Sequence, residues 1–183
     1  MKVTTTPLEG LLVLEPTVHK DSRGYFFESY NKQALEAASG YSTPFVQDNQ
    51  ARSVKNVLRG LHYQNLPVPQ AKLIRALEGS IWDVAVDIRK NSKTYKQWFG
   101  IELSAENKLQ LLIPHGFAHG YAVLTDTAEV FYKCDNFYNK PTEGGCLFSD
   151  PEIGVDWKID ISKAIVSDKD INQPLLKDAW NTF

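Results

Sequence analysis

Hydrophobic and polar residues change places in short runs over most of the chain. "NVLRGLHYQ", "KLIRALEG", "SIWDVAVDIR", "WFGIELS", "KLQLLIP", "AHGYAVLT" and "AEVFYKCDNFY" are each brief and rich in β-branched and aromatic residues. Many of them switch polarity at every step, the two-residue period of a half-buried strand whose successive side chains point to opposite faces. Turn chemistry separates them, in "NLPVP", "EGS", "RKNSKTY", "SAENK", "PHG", "LTDT" and "NKPTEGG". Many short strands at this spacing predict a mainly β fold, an antiparallel jelly-roll sandwich or barrel. One helix interrupts the pattern early, where Asn31 can cap "KQALEAAS" and Gly40 can stop it. The tail "DISKAIVSDKDINQPLLKDA" predicts one or two short helices or turns packed on the outside.

No repeat, low-complexity tract or linker divides the 183 residues, so residues 1–183 read as a single domain. Twenty basic against 22 acidic residues give a net charge of −2, with no basic run. That argues against a nucleic-acid or membrane partner, while leaving single arginines free to meet one anionic ligand. The apolar runs are far shorter than the roughly 20 residues a spanning helix needs, and "MKVTTTPLEG" has no apolar signal core. Cys134 and Cys146 read as free thiols, and the expected compartment is the cytoplasm.

Candidate chemistry begins with the four histidines, His19, His62, His115 and His119. In "RGLHYQNLPVPQAK", strand alternation sends Gly60, His62 and Gln64 to one face and Leu61 and Tyr63 to the other. A surface histidine on a hairpin is the plain alternative. In "IPHGFAHGYAVL", Pro114, Gly116 and His119 form a P-x-G-x-x-H pattern, a tight turn that places His119 at the mouth of a strand. His115 reads as a solvent-exposed turn residue.

Together the two stretches resemble the paired motifs of the cupin superfamily. Metal-binding cupins carry H-x-H, then a glutamate, then a glycine. Here His62 stands for the first ligand, Gln64 for the second, Lys72 for the glutamate (with Gly79 beyond it) and His119 for the last. An amide and a lysine are poor company for a divalent cation, so no metal and no cofactor are expected. A histidine base beside a lysine cation suits enolisation next to a carbonyl: His62 removes the α-proton and Lys72 holds the enolate oxygen. Tyr132 in "AEVFYK" is the candidate acid across the pocket, with its pKa lowered by a nearby cation; ordinary strand packing is the alternative.

Beyond the cupin motifs, the chain closely resembles the dTDP-4-dehydrorhamnose 3,5-epimerase family. "DSRGYFFESYN", "FVQDNQARS", "VLRGLHYQ", "QAKLIRALEGSIWDVAVDIRKNSKTYKQW", "IPHGFAHGYAVL", "YKCDNFY" and "SDKD" carry the resemblance across nearly the whole length. It implies inversion of carbons 3 and 5 of dTDP-4-keto-6-deoxy-D-glucose to give dTDP-4-keto-L-rhamnose. The alternative is a monoepimerase acting mainly at carbon 3. The resemblance makes His62 the base, Asp170 its partner carboxylate, Lys72 the ketone contact and Tyr132 the acid. Arg59 and His119 match residues of the sugar and diphosphate region, and Arg23, Glu28, Gln47 and Asn49 match the nucleotide contacts. Tyr138 falls at the sugar's rim. A homodimer with an exchanged N-terminal strand is implied.

Only the resemblance separates Asp170 from its neighbour Asp168, since an acidic cluster at such a place is often a cap. The chain departs from the family with His19 where phenylalanine is common and Tyr121 where phenylalanine is usual. A binding-only cupin and a metal-dependent cupin dioxygenase are the other classes; the trio of base, cation and acid weighs against the first, and Lys72 against the second.

Overall fold

A computed structural model describes residues 1–183. The strands are β1 (Lys2–Thr5), β2 (Leu12–Glu15), β3 (His19–Asp21), β4 (Gly24–Phe26), β5 (Gln47–Val54), β6 (Leu58–Gln64) and β7 (Lys72–Glu78). They continue with β8 (Ser80–Asp87), β9 (Trp98–Ser104), β10 (Gln110–Ile113), β11 (Phe117–Val123), β12 (Thr127–Cys134) and β13 (Glu143–Gly145). Two helices, α1 (Lys32–Ser39) and α2 (Asp168–Ile171), complete the set with two short 3₁₀ turns. No helix is long and apolar enough to cross a membrane.

Six strands form one sheet in the order β1-β2-β10-β7-β12-β5, and five form the other in the order β13-β6-β11-β8-β9. All pairings between named strands are antiparallel. The sheets face each other as the expected mainly β, cupin-type jelly roll. Alternation sorts the residues: Ile74, Ile81, Ala85, Leu111, Ile113, Phe117, Val123 and Val130 meet between the sheets. Leu61, Tyr63, Val84, Val86, Ala118 and Ala122 point the other way, beneath Ile153, Trp157 and Leu176 of the C-terminal segment. Leu14, Leu73 and Leu112 leave the six-stranded sheet's outer face to cover Leu35 of α1.

The helix α1 forms where its caps predict. The Asn31 side chain accepts from the Ala34 amide at 3.1 Å, and Gly40, at φ 73°, closes the end by donating to Glu36. The seven runs read as strands all form strands. The alternation does not flag β5, a polar edge strand paired on one side only with β12. The tail forms two short helical turns as predicted, and α2 stays exposed at Asp168, Lys169 and Ile171 while it packs on β6 and buries Asp170.

One irregularity in β6 positions the site. Two residues of β6, Gly60 and Leu61, pass against the single residue Gly120 between the pairs His119–His62 and Tyr121–Arg59. This β-bulge changes the phase of the strand, so Leu58 and Leu61 both lie on the outer face although three positions apart. Arg59 and His62, which regular alternation would separate, therefore both line the inner cavity. Gly60 makes the bulge at φ +128°, and a Cβ there would stand 2.5 Å from the Gly120 Cα. Gly60→Ala is accordingly expected to lower the unfolding free energy by at least about 2 kcal/mol, through backbone strain and the clash together. Urea denaturation measures this, and an unchanged midpoint would show that the bulge does not need glycine.

Candidate active site

Between the sheets lies a cavity of about 540 Å³ lined by, among others, Arg59, His62, Lys72, His119, Tyr121 and Tyr132. Residues of the tail close its rim, with Ser167, Lys169 and Asp170 from α2 and its cap. A second cavity of about 300 Å³ shares His62, Lys72 and Tyr132 with the first and adds Gln47, Asn49, Tyr138 and Glu143. Nine of the eleven residues singled out from the sequence thus line one or the other of these two cavities.

His62 Nε2 lies 2.6 Å from the Asp170 carboxylate. Ser167 caps α2 by accepting from the Asp170 amide, and the Gly60 amide donates to the second carboxylate oxygen at 3.2 Å. Asp168, the rival from the sequence, is exposed at the start of the same turn. The Asp170 pKa lies below the ordinary carboxylate value: burial pushes it up, but His62 and the amide and hydroxyl donors more than offset that. The Nδ1 of His62 has no protein partner and is left for the cavity.

Lys72 opens β7 and makes no ion pair within the chain. Burial holds its pKa below the usual lysine value, against the opposing pull of Cys134, Asp83 and Glu143. Tyr132 departs from expectation. Its phenol is pushed up to about 12, because burial outweighs the downward pull of the Arg59 guanidinium. It therefore stays protonated across the physiological range, a proton donor rather than a ready phenolate.

Arg59 points its Nε and Nη2 at the Ser53 hydroxyl, 3.2 and 3.1 Å away. His119 sits inside β11 rather than at the strand's mouth, 7% exposed, with Nε2 at 2.9 and 3.1 Å from the two oxygens of Asp83. Gln64 is not free to ligate anything. Its amide donates to the Val68 and Phe137 carbonyls and accepts from the Asn139 amide, fastening the loop that carries Tyr138. The Tyr138 amide in turn donates to Gln47, whose side-chain nitrogen donates to Asn49.

His115 is not a free turn residue, because its Nε2 lies 2.7 Å from buried Asp135, which also accepts from Tyr41 and from the Ala71 amide. Arg23 and Glu28 reach neither cavity. Arg23 sits on the exposed β3–β4 hairpin, paired with Asp21, and Glu28 accepts from Asn31. The sequence reading missed Asp83, Ser53, Glu143 and Lys169. Asp83 left one visible signal, a lone charge at an inward position of the apolar run "SIWDVAV". Glu143 and Lys169 pair across the two cavities at 2.5 Å, a contact between distant segments that no local pattern announces.

The family model for dTDP-4-dehydrorhamnose 3,5-epimerase matches residues 5–178. The dTDP-4-dehydrorhamnose 3,5-epimerase of Shigella flexneri is 51% identical over 179 residues, covering 98% of each chain. The crystal structure of the Elizabethkingia anophelis enzyme of that name superposes with a TM-score of 0.94 at 53% identity, over 97% of each chain. The dTDP-6-deoxy-D-glucose-3,5-epimerase of Legionella pneumophila, solved with dTDP-4-keto-L-rhamnose, superposes at 0.93 with 42% identity, over 97% of this chain and 93% of that one.

The His62–Asp170 pair makes a prediction for stability. A carboxylate with a depressed folded pKa stabilises the fold above its unfolded value, about 3.9, and loses that contribution as pH falls through the folded value. Asp170→Asn is expected to unfold about 1–3 kcal/mol more easily at pH 7, with the gap closing below about pH 3.9. Urea titrations at pH 7 and pH 3 test this; an equal gap at both would deny the ionised pair.

Proposed function

The chain belongs to the dTDP-4-dehydrorhamnose 3,5-epimerase family, and on that premise we propose how its cavity inverts carbons 3 and 5 of dTDP-4-keto-6-deoxy-D-glucose to give dTDP-4-keto-L-rhamnose. The observation that carries the proposal is the 2.6 Å His62–Asp170 contact in a cavity shared with Lys72 and Tyr132. Both carbons flank the carbon-4 ketone, so one arrangement of base and oxyanion donor can serve both. Asp170 holds the His62 Nε2–H and steadies the imidazolium that forms, leaving Nδ1 to take the proton from carbon. The C–H electron pair then moves into the ring and the ketone oxygen becomes an enolate oxygen, which the Lys72 ammonium neutralises. Tyr132 returns a proton to the opposite face, which inverts the centre, and recovers its own from solvent, to which His62 gives up the proton it took.

Arg59 suits the diphosphate, since a guanidinium fork meets phosphate oxygens two at a time. In the free chain it is held by Ser53 alone, with no carboxylate to release. Gln47, Asn49 and Tyr138 border the smaller cavity, where they would face the outer part of the ligand. For Arg23 and Glu28 the reading is a homodimer in which the N-terminal β3–β4 ribbon serves the neighbouring subunit's site. What supports it is that the ribbon pairs with neither sheet and exposes Tyr25 and Phe26 at 60% and 68%. The proposed compartment is the cytoplasm, consistent with two buried cysteines left as free thiols.

His62→Ala is expected to abolish deuterium uptake at both carbons of the keto sugar in D₂O, because the cavity offers no second base of equal exposure; uptake at the parent's rate would refute the assignment. Tyr132→Phe should retain some uptake while losing inversion at one or both centres, read by trapping the product with a reductase. Lys72→Met should lose about 10²–10³ in kcat, the usual effect of removing an oxyanion donor. With Lys72 intact, the alkaline limb of kcat should fall below the ordinary lysine value of about 10.4, since burial lowers the pKa at which its ammonium is lost. A limb at or above that value would contradict the role.

A further inference from the structure

One polar atom at the edge of the larger cavity is left unanswered by the chain. Tyr121, on β11, lines that cavity with Arg59 and is 4% exposed. Its phenol oxygen is buried and makes no hydrogen bond. Burial raises its pKa, while Arg59 and the Ser53 hydroxyl pull the other way, so both of those groups lie close to the phenol. The fold brings the three together from two sheets. Tyr121 and Arg59 stand opposite each other on β11 and β6, and buried Ser53 meets them from β5 of the facing sheet.

Counting lone pairs explains why the phenol has no partner. A serine hydroxyl carries one proton and two lone pairs. Arg59 Nε and Nη2 both donate to Ser53 Oγ, at 3.2 and 3.1 Å, and so fill it. The Tyr121 O–H therefore meets a saturated acceptor and a guanidinium, which can only donate. A buried donor held in that state is a standing cost to the free chain. Withdrawal of Arg59 would return both lone pairs to Ser53 Oγ and give the phenol an acceptor.

On the proposed reading of Arg59 as the diphosphate contact, we infer that Tyr121 and Ser53 act as its release. Ser53 holds the guanidinium in the free chain, and the Tyr121 phenol takes over Ser53 when Arg59 turns to the anionic ligand. Moving a guanidinium away from a buried hydroxyl ordinarily leaves that hydroxyl unpaired. Here the loss is offset inside the protein, because the bond that Tyr121 makes in the bound state is missing from the free one. A ligand lacking the anionic group leaves Arg59 in place and gains nothing from the exchange, so the pair favours a diphosphate over its uncharged analogue. Tyr121 and Ser53 are positioning residues, acting through Arg59.

Calorimetric titration with dTDP and urea denaturation of the free protein test this together. Tyr121→Phe should weaken dTDP binding about tenfold, the size of one buried hydrogen bond, while the unfolding midpoint stays level or rises. A phenol that served only the fold would lower the midpoint, and a lowered midpoint or an unchanged dTDP affinity overturns the inference. Repeating the substitution in a Ser53→Ala background separates the release from a direct contact. There Tyr121→Phe should change dTDP affinity by less than about twofold; a loss as large as in the parent would mean that the phenol touches the ligand itself, and the inference fails. Arg59→Gln tells the two readings apart. Parent-like dTDP binding by that variant sinks the proposed role of Arg59, whereas weak binding by it with no effect of Tyr121→Phe sinks only the release.

Discussion

A strand that alternates strictly cannot aim two side chains three positions apart at one ligand. The bulge at Gly60 removes that restriction, and the site depends on it. With Gly60 at φ +128° and pressed against Gly120, the inner face of β6 receives both Arg59 and His62 while Leu58 and Leu61 keep their places in the outer core. The same amide that the bulge frees from the ladder donates to Asp170, so the irregularity also anchors the helix that orients the base. Backbone distortion, packing and acid–base geometry are one arrangement here, with two glycines at its centre.

Charge placement follows a consistent rule in the interior. Each histidine of the cavity has an aspartate at Nε2 and leaves its Nδ1 without a protein partner. Asp87 and Asp135, buried elsewhere, are surrounded by arginine, hydroxyl, imidazole and amide donors and serve the fold alone. Lys72 is the exception, a half-buried cation with no partner in contact. An unpaired buried charge is costly to keep, and a ligand oxygen that becomes anionic during reaction is the group that would relieve it. Stability is given up at the position where the chemistry needs a charge.

Much of this was legible along the chain, and the limits are physical. Strands buried on one or both faces, β6 to β12, announce themselves as short runs rich in β-branched and aromatic residues, and α1 by Asn31 and Gly40. The strands that escaped, β5 and the N-terminal set, are polar or exposed and bury too little to leave a pattern. His62, Lys72 and Tyr132 could be read as a trio from residue chemistry and family resemblance. The correction at Tyr132 came from burial, which a sequence does not display: the phenol goes up to about 12 where a neighbouring cation alone would bring it down. Asp83, Glu143 and Ser53 matter through contacts between distant strands. His115 misled because a turn position says nothing of Asp135 folding back onto it 20 residues later.

The central claim is that one cavity, with one base beside one oxyanion donor, exchanges protons on both sides of a ketone. Proton NMR of dTDP-4-keto-6-deoxy-D-glucose with the purified chain in D₂O tests it most directly, with the product trapped by a reductase. Deuterium at carbons 3 and 5, in a product of the L-rhamno configuration, is the result this structure predicts. Deuterium at carbon 3 alone would contradict the double inversion and leave a monoepimerase, and no deuterium at either carbon would contradict the chemistry assigned to the cavity.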